Sequence, residues 1–146
     1  MNTGLGDAFC SLTNLQYFQA NNAGLNGTLP DCMCNMQNML YFYVSENALL
    51  TGPIPTCVGN MLNLRELHAT CDNLNGTVPV GFNTLQYLTE LRLDCNVNLD
   101  CTSDLSTRPN FIYLCGMDNC NCPVLPPTNC PINVTIPGCG VYIRQL

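Results

Sequence analysis

The amino-acid sequence predicts an α/β-type solenoid of short stacked units, whose strands form mostly one parallel β-sheet with an irregular or 3-10 convex side and little helix. Apolar residues recur every 24 or 25 residues, in units that start near residues 12, 36, 61, 85 and 108. Each of the first three units closes on Leu, any residue, Gly, any residue, an aliphatic residue and Pro, as in residues 25–30. An asparagine recurs near the twelfth position, at Asn47, Asn96 and Asn119. This period and spacing are the signature of a leucine-rich repeat solenoid.

The fourth, seventh and ninth positions of each unit supply the predicted core. Side chains alternate between the two faces of a strand, so the seventh and ninth positions share an apolar face that the next unit must cover. In chain order these core residues are Leu15, Phe18, Ala20, Met39, Phe42, Val44, Leu64, Leu67, Ala69, Leu88, Leu91, Leu93, Phe111, Leu114 and Gly116. The amide of each twelfth-position asparagine is expected to satisfy backbone groups at the turn. Ala23 and Asp72 interrupt this asparagine ladder.

Composition indicates one acidic domain from an oxidising compartment. The chain carries 12 cysteines among 146 residues, a usage typical of secreted proteins. Its net charge is -6, with only four basic residues, which makes nucleic acid and anionic lipid poor partners. No apolar run approaches the length of a membrane span. We therefore expect a secreted, extracellular protein without a cofactor.

Three segments are expected along the chain. Residues 1–11 echo the closing part of a repeat and are interpreted as the remnant of a truncated upstream repeat. Because no signal peptide is visible in this chain, the signal is expected further upstream. Residues 12–119 hold about five leucine-rich repeats. Residues 120–146, where prolines and cysteines gather, are expected to form a disulfide-rich carboxyl-terminal cap, with extended segments such as residues 132–136 pairing along the last unit.

Repeat phase predicts disulfides between neighbouring units. Equal phases on successive strands lie about 4.8 Å apart, within the roughly 4.4–6.8 Å range of Cα separations that a disulfide spans. This rule pairs Cys10 with Cys34, Cys32 with Cys57, and Cys71 with Cys95. It leaves open the connectivity of Cys101, Cys115, Cys120, Cys122, Cys130 and Cys139. Metal sites at Cys32 with Cys34 and at Cys120 with Cys122 are the weaker alternative, because paired zinc-binding cysteines are usually separated by at least two residues.

Three N-glycosylation sequons occur, at Asn26, Asn75 and Asn133. The first two share the fifteenth position of their units, where the repeat pattern itself favours such residues. The sequence marks these three asparagines as acceptors and leaves their use open.

Solvent-facing strand positions, on the concave side of the predicted sheet, form the candidate binding surface. The sixth and eighth positions of the units place eight candidate binding residues there: Tyr17, Gln19, Tyr41, Tyr43, Glu66, His68, Glu90 and Arg92. Tyr113 and Cys115 continue the two rows in the fifth unit. Aromatic faces stack on sugar rings, and carboxylates and amides accept or donate hydrogen bonds, so this set favours ligand contact. The alternative is that the tyrosines are cross-strand pairs that only stabilise the sheet.

Glu66 and Glu90 share a phase and are expected about 5 Å apart on neighbouring strands. Such a separation suits the carboxylates of a retaining glycosidase or a Ca²⁺ site. A flat solenoid face, however, lacks a pocket that excludes water. We therefore favour a non-enzymatic patch in which Arg92 and His68 balance the two charges, with no catalytic residue and no metal. His68 is also a candidate pH sensor, because an unperturbed histidine has a pKa of about 6.5.

The closing motif, with Gly27, Gly52 and Gly76 at its third position, resembles the plant-type subclass of leucine-rich repeats over residues 12 to about 99. Plant extracellular inhibitors and receptors share that repeat, and so do the cyst wall proteins of encysting diplomonad protozoa. Cysteines inside the repeats and a cysteine-rich carboxyl end resemble the cyst wall proteins more closely.

That resemblance implies a structural protein of a cyst or cell wall, which binds a fibrous amino-sugar polysaccharide in a lectin-like way. It also implies assembly with other wall proteins or with further copies of the chain. The plant families imply instead an extracellular protein-protein interaction module of the receptor or inhibitor type.

Overall fold

A computed structural model describes residues 4–105, 111–117, 120 and 122, and the backbone of residues 141–145. The strands are β1 (Leu15–Ala20), β2 (Asn26–Thr28), β3 (Tyr41–Tyr43), β4 (Leu49–Pro53), β5 (Glu66–His68), β6 (Asn73–Thr77), β7 (Glu90–Arg92), β8 (Asn98–Asp100), β9 (Ile112–Leu114) and β10 (Val141–Gln145). One short helix, α1 (Asp7–Cys10), and three 3-10 helices, η1 (Asp31–Asn35), η2 (Thr56–Asn60) and η3 (Val80–Thr84), complete the described elements. None of the helices in these ranges is long and apolar enough to cross a membrane.

The fold is a disulfide-rich leucine-rich repeat solenoid. A six-stranded sheet has the order β10-β1-β3-β5-β7-β9, and a four-stranded sheet has the order β2-β4-β6-β8. Each of the first four repeats therefore gives one strand to each sheet, and equivalent strands pair in parallel. Burial confirms the predicted core of the first four units, since Phe18, Phe42, Leu67 and Leu91 are 0% exposed in one continuous row.

The register of the fifth unit differs from the prediction by one residue. Strand β9 pairs Tyr113 with Leu91 and Leu114 with Arg92, so Tyr113 continues the inward row. Because strand side chains alternate, this slip exchanges the two faces, and Ile112 and Leu114 are 48% and 42% exposed. The predicted inward position of Leu114 is wrong. Its phase was counted from residue 108, where an arginine already breaks the apolar pattern.

The four-stranded sheet was not expected from the sequence. The closing motif itself forms β2, β4 and β6, and their glycines Gly27, Gly52 and Gly76 have φ values of 76°, 80° and 75°. Only glycine adopts this left-handed conformation without a steric cost, so it allows the closing run to bend while it still pairs with its neighbours. The predicted 3-10 helices follow directly, each beginning after the proline that ends the motif.

We expect Gly52→Ala to lower the free energy of unfolding by about 2 kcal/mol. The left-handed φ costs an L residue roughly 1–2 kcal/mol, and a Cβ at Gly52 would lie 2.7 Å from Cγ2 of Thr28. Gly27→Ala is the matched control, because its φ is similar and a Cβ there has nothing within 4 Å. Urea unfolding of both variants measures the difference. Equal losses would show that the contact with Thr28 is irrelevant.

Strand β10 lies at the opposite end of the sheet from the predicted cap position. It pairs antiparallel with β1, with Ile143 opposite Phe18, and so covers one edge of the first strand. The carboxyl-terminal region was expected on the last unit instead. Other predictions fall outside the described residues: Asn119, Cys130, Asn133, Cys139 and the extended segment at residues 132–136.

Five disulfides join described cysteines, and they differ from the three predicted pairs. They are Cys10–Cys32, Cys34–Cys57, Cys71–Cys122, Cys95–Cys120 and Cys101–Cys115, with Cα separations of 5.4–5.8 Å. This usage fits an oxidising compartment.

The pairings Cys10–Cys34 and Cys32–Cys57 are wrong because Cys32 and Cys34 both lie on η1. A 3-10 helix has three residues per turn, so side chains two residues apart point in different directions. Cys32 reaches back to Cys10 at the end of α1, and Cys34 reaches forward to Cys57 on η2. The bridges still join neighbouring units, as the repeat phase indicated.

The predicted pair Cys71–Cys95 is wrong for a different reason. The sulfur atoms of Cys71, Cys95 and Cys122 all lie within 4.8 Å of one another, so proximity alone does not select the partner. A carboxyl-terminal segment brings Cys120 and Cys122 to the same point, and these take Cys95 and Cys71 respectively. Because that segment lies outside the repeats, the repeat phase could not predict which cysteines it would approach.

Candidate functional site

The solvent-facing side of the six-stranded sheet carries two rows of side chains, which we call the open face. The first row contains Tyr17, Tyr41, Glu66, Glu90 and Ile112, and the second contains Gln19, Tyr43, His68, Arg92 and Leu114. The eight predicted binding residues thus lie side by side on four neighbouring strands. Their role in binding stays a prediction. The predicted continuation through Tyr113 and Cys115 is replaced by Ile112 and Leu114, because of the register of β9.

Three tyrosines form a cluster at one end of the open face. The ring centroid of Tyr17 lies 5.9 Å from that of Tyr41 and 5.5 Å from that of Tyr43, where the rings meet edge to face. The Tyr17 hydroxyl donates to Oε1 of Gln19 at 2.7 Å. The rings therefore support one another across strands, as the cross-strand alternative supposed.

Tyr43 links the tyrosines to a charged cluster. Its ring stacks on the imidazole of His68 with a centroid separation of 4.4 Å, and its hydroxyl donates to Oε2 of Glu66. Burial raises the pKa of Tyr43, and the hydrogen bond to Glu66 raises it further, so the hydroxyl stays protonated and remains a donor.

The charged cluster consists of Glu66, His68, Glu90 and Arg92. Nε2 of His68 lies 3.7 Å from Oε2 of Glu66 and 3.5 Å from Oε1 of Glu90. The Arg92 guanidinium donates through Nε to Oε1 of Glu90. Burial lowers the pKa of His68, although the charge of Glu90 opposes the shift. The imidazole is therefore neutral at pH 7. As a pH sensor, His68 would respond at a lower pH than an unperturbed histidine does.

A depression of about 450 Å³ adjoins the open face beside the starts of β3, β5 and β7. Its lining includes Tyr41 and Glu66 from the first row, together with Arg65, Gln86, Tyr87 and Thr89. Tyr87 is 59% exposed. These last four residues were not predicted from the sequence, because they come before the strands and strand alternation does not apply to them. The available signal was an arginine and a tyrosine in neighbouring repeats, because both residue types are enriched at protein interfaces.

Two of the predicted sequons lie on the four-stranded sheet, away from the open face. Asn75 is exposed on β6, and Asn26 is half-buried at the start of β2. A glycan at Asn75 would leave the open face accessible. Use of either site stays a prediction.

Comparison with known proteins supports the fold class. No protein-family model and no curated protein matches the chain. Among solved structures, it is similar to the PEPR1-AtPEP1 crystal structure, with 28% identity and a TM-score of 0.60 over 66% of this chain and 13% of that one. It is also similar to a TDR receptor, with 35% identity and a TM-score of 0.55 over 59% of this chain and 15% of that one.

A weaker likeness connects the chain to the plant peptide hormone receptor RGFR1 in complex with RGF2, at 24% identity and a TM-score of 0.46 over 62% of this chain. The chain spans less than a fifth of the length of these three proteins. The first two agree with the plant-type repeat that the closing motif indicated. Neither of these two is a cyst wall protein, so that part of the resemblance gains no support from them.

Proposed function

We propose that this chain is an extracellular protein-binding module, whose open face binds an extended segment of a partner protein. The observation that carries the proposal is the composition of the two rows. Tyrosines occupy one end, a charged cluster occupies the middle, and the exposed Ile112 and Leu114 follow at the other end. Aromatic residues and arginine beside exposed apolar side chains are characteristic of protein interfaces.

Charge on the open face favours a basic partner segment. Glu66 and Glu90 lie at its centre with Arg92 as their charged neighbour, and the chain as a whole has a net charge of -6. Complementary charge accelerates encounter and fixes register more than it adds affinity. The depression lined by Tyr41 and Tyr87 gives one side chain of such a segment a place to anchor.

The receptors to which the chain is similar support the same class of function. PEPR1-AtPEP1 is a complex, and the TDR chain is a receptor. Because the chain matches only a small part of each, the proposal concerns a recognition surface and not the activity of a whole receptor. The disulfides favour an extracellular location. The open depression lacks the enclosure that a catalytic site needs, which favours a non-enzymatic role.

Binding of a fibrous amino-sugar polysaccharide, as in a cyst or cell wall, is the second candidate. The tyrosine cluster favours it, because aromatic rings are the usual platforms for sugars. Two contacts count against it: Tyr43 already stacks on His68, and Tyr17 meets Tyr43 edge to face. These contacts occupy ring surface that a row of sugar units would need. We therefore rank a protein partner first.

The test is selection of binders to the oxidised chain from a displayed library of linear peptides, beside a panel of insoluble polysaccharides that includes amino-sugar polymers. A chelator is present throughout. We expect enriched peptides with basic residues. Tyr41→Ala and Glu66→Gln should each weaken their binding roughly thirtyfold, the effect of losing about 2 kcal/mol at a hot spot.

Leu49→Ser is the control, because Leu49 is 55% exposed on β4 in the other sheet. It should leave peptide affinity unchanged. Polysaccharide binding that Tyr41→Ala abolishes, without any peptide selected, would replace the proposal by the second candidate. Peptide binding that only Leu49→Ser removes would place the interface on the other sheet and refute the proposal.

A further inference from the structure

Three metal-ligating atoms converge at the centre of the open face. Nε2 of His68 and carboxylate oxygens of Glu66 and Glu90 all lie within 4.8 Å of one another. Nε2 is buried from solvent and has no hydrogen-bond partner among the described residues. We propose that Glu66, His68 and Glu90 form a binding site for a divalent transition-metal ion such as Zn²⁺.

The distances already approach those of a tetrahedral zinc centre. Zinc bonds of about 2.0–2.1 Å to nitrogen and oxygen place neighbouring ligand atoms roughly 3.4 Å apart. Nε2 of His68 lies 3.5 Å from Oε1 of Glu90 and 3.7 Å from Oε2 of Glu66. Small rotations of the two glutamate side chains are therefore enough to close the site. A tetrahedral ion held by these three ligands would have a fourth position for a further ligand such as water.

The type of ligand atoms selects the class of ion. Ca²⁺ and Mg²⁺ prefer oxygen ligands alone, whereas an imidazole nitrogen with carboxylates suits zinc and its neighbours in the first transition series. Nε2 of His68 lies between the two carboxylates and has no hydrogen-bond partner among the described residues, so its position suits a metal ligand.

The surrounding residues hold the ligands in position. The Tyr43 ring stacks on His68, and its hydroxyl donates to Glu66, while Arg92 donates to Glu90. Hydrogen bonds of this kind orient ligating side chains and tune their affinity for metal. All three ligands lie on paired strands β5 and β7, where Glu66 is directly opposite Glu90. Strands give more precise sites than loops do.

No metal was expected from the sequence, because Glu66 and Glu90 were interpreted as a pair of oxygen ligands and His68 as their counter-charge. The site lies on two repeats and follows no local spacing motif. It requires no partner protein, so its test is independent of the proposed function.

The experiment is equilibrium dialysis of the oxidised chain against Zn²⁺, with bound metal measured by mass spectrometry. We expect one ion per chain. Glu90→Gln and His68→Asn should each weaken binding by tenfold or more, since each removes one of three ligands. Tyr43→Phe keeps the ring that stacks on His68 and removes the hydroxyl bonded to Glu66, and should weaken binding about tenfold.

Asp31→Asn is the matched control, because it removes one negative charge at an exposed position on η1. It should leave Zn²⁺ affinity unchanged. Absence of bound zinc in the wild-type chain would overturn the proposal, and so would binding that Glu90→Gln and His68→Asn do not weaken. Each variant is compared with wild type by its unfolding transition without metal, which identifies any variant that has failed to fold.

Discussion

Asn47→Ala is expected to lower the free energy of unfolding by about 3–5 kcal/mol. Asn47 is fully buried, and its Oδ1 accepts hydrogen bonds from the amides of Ala23 and Leu25. Its Nδ2 donates to the carbonyls of Ala20 and Val44. Alanine leaves these four backbone groups without a side-chain partner inside the solenoid, and each unsatisfied buried group costs roughly 1–3 kcal/mol before relaxation.

Asn63→Ala is the control for this prediction. Asn63 is exposed and its Nδ2 donates to one carbonyl, that of Gln37. We expect a loss of less than about 1 kcal/mol, because water replaces an exposed hydrogen bond. Urea unfolding of both variants gives the comparison. Similar midpoints for the two variants would contradict the role assigned to the asparagine ladder.

Asp72→Asn is expected to stabilise the chain by about 2–3 kcal/mol above pH 8. Oδ1 of Asp72 accepts from the amide of Asn47, but its buried Oδ2 has no hydrogen-bond partner among the described residues. In the next unit the equivalent Asn96 donates from Nδ2 to the carbonyls of Ala69 and Leu93. Asparagine at position 72 supplies such a donor and removes a buried charge, whose desolvation is costly.

The same residue makes stability depend on pH. Burial raises the pKa of Asp72 to about 8 in the folded chain, from an ordinary value of 3.8. Between these values the unfolded chain releases a proton that the folded chain keeps. The free energy of unfolding should therefore fall as the pH rises from about 4 to 8, and this contribution should be constant above pH 8.

Urea unfolding at a series of pH values tests this dependence. Wild type should lose several kcal/mol of stability across the interval, because each unit of pKa difference contributes about 1.4 kcal/mol. Asp72→Asn should remove most of that slope. If the variant and wild type show the same slope, another group is responsible and the assignment to Asp72 fails.

Periodicity was sufficient to predict the core of the first four units and the role of Asn47 and Asn96 in the ladder. Leu15, Met39, Leu64 and Leu88 were assigned from spacing alone, and each is at most 2% exposed. The backbone hydrogen bonds of Asn47 and Asn96 were expected from their position in the repeat. Regular stacking of the repeats determines both the buried positions and these hydrogen bonds, so both can be predicted from the sequence pattern.

Features that depend on local direction were not predictable in this way. Cys32 and Cys34 exchange partners because η1 turns their side chains apart, a detail that repeat phase does not contain. The inward position of Tyr113 depends on the register of β9, which the broken apolar pattern at residue 108 leaves open. A slip of one residue there exchanges the two faces of β9.

The candidate site was predicted in part. The two rows of side chains from Tyr17 to Arg92 were predicted from strand alternation. Their predicted function, binding of a polysaccharide, came from a family resemblance. The exposed Ile112 and Leu114, together with the depression beside Tyr41, shift the interpretation from a sugar polymer toward a protein segment. Those features required the register of β9 and the positions of residues between the strands.

The most direct test of the open face is photo-crosslinking with a selected peptide. A benzophenone side chain is placed at Tyr41 on the open face or at Leu49 on the other sheet, and crosslinked products are located by mass spectrometry. We predict that the position 41 chain captures the peptide and that the position 49 chain does not. Capture at position 49 alone would contradict the claim that the open face is the recognition surface.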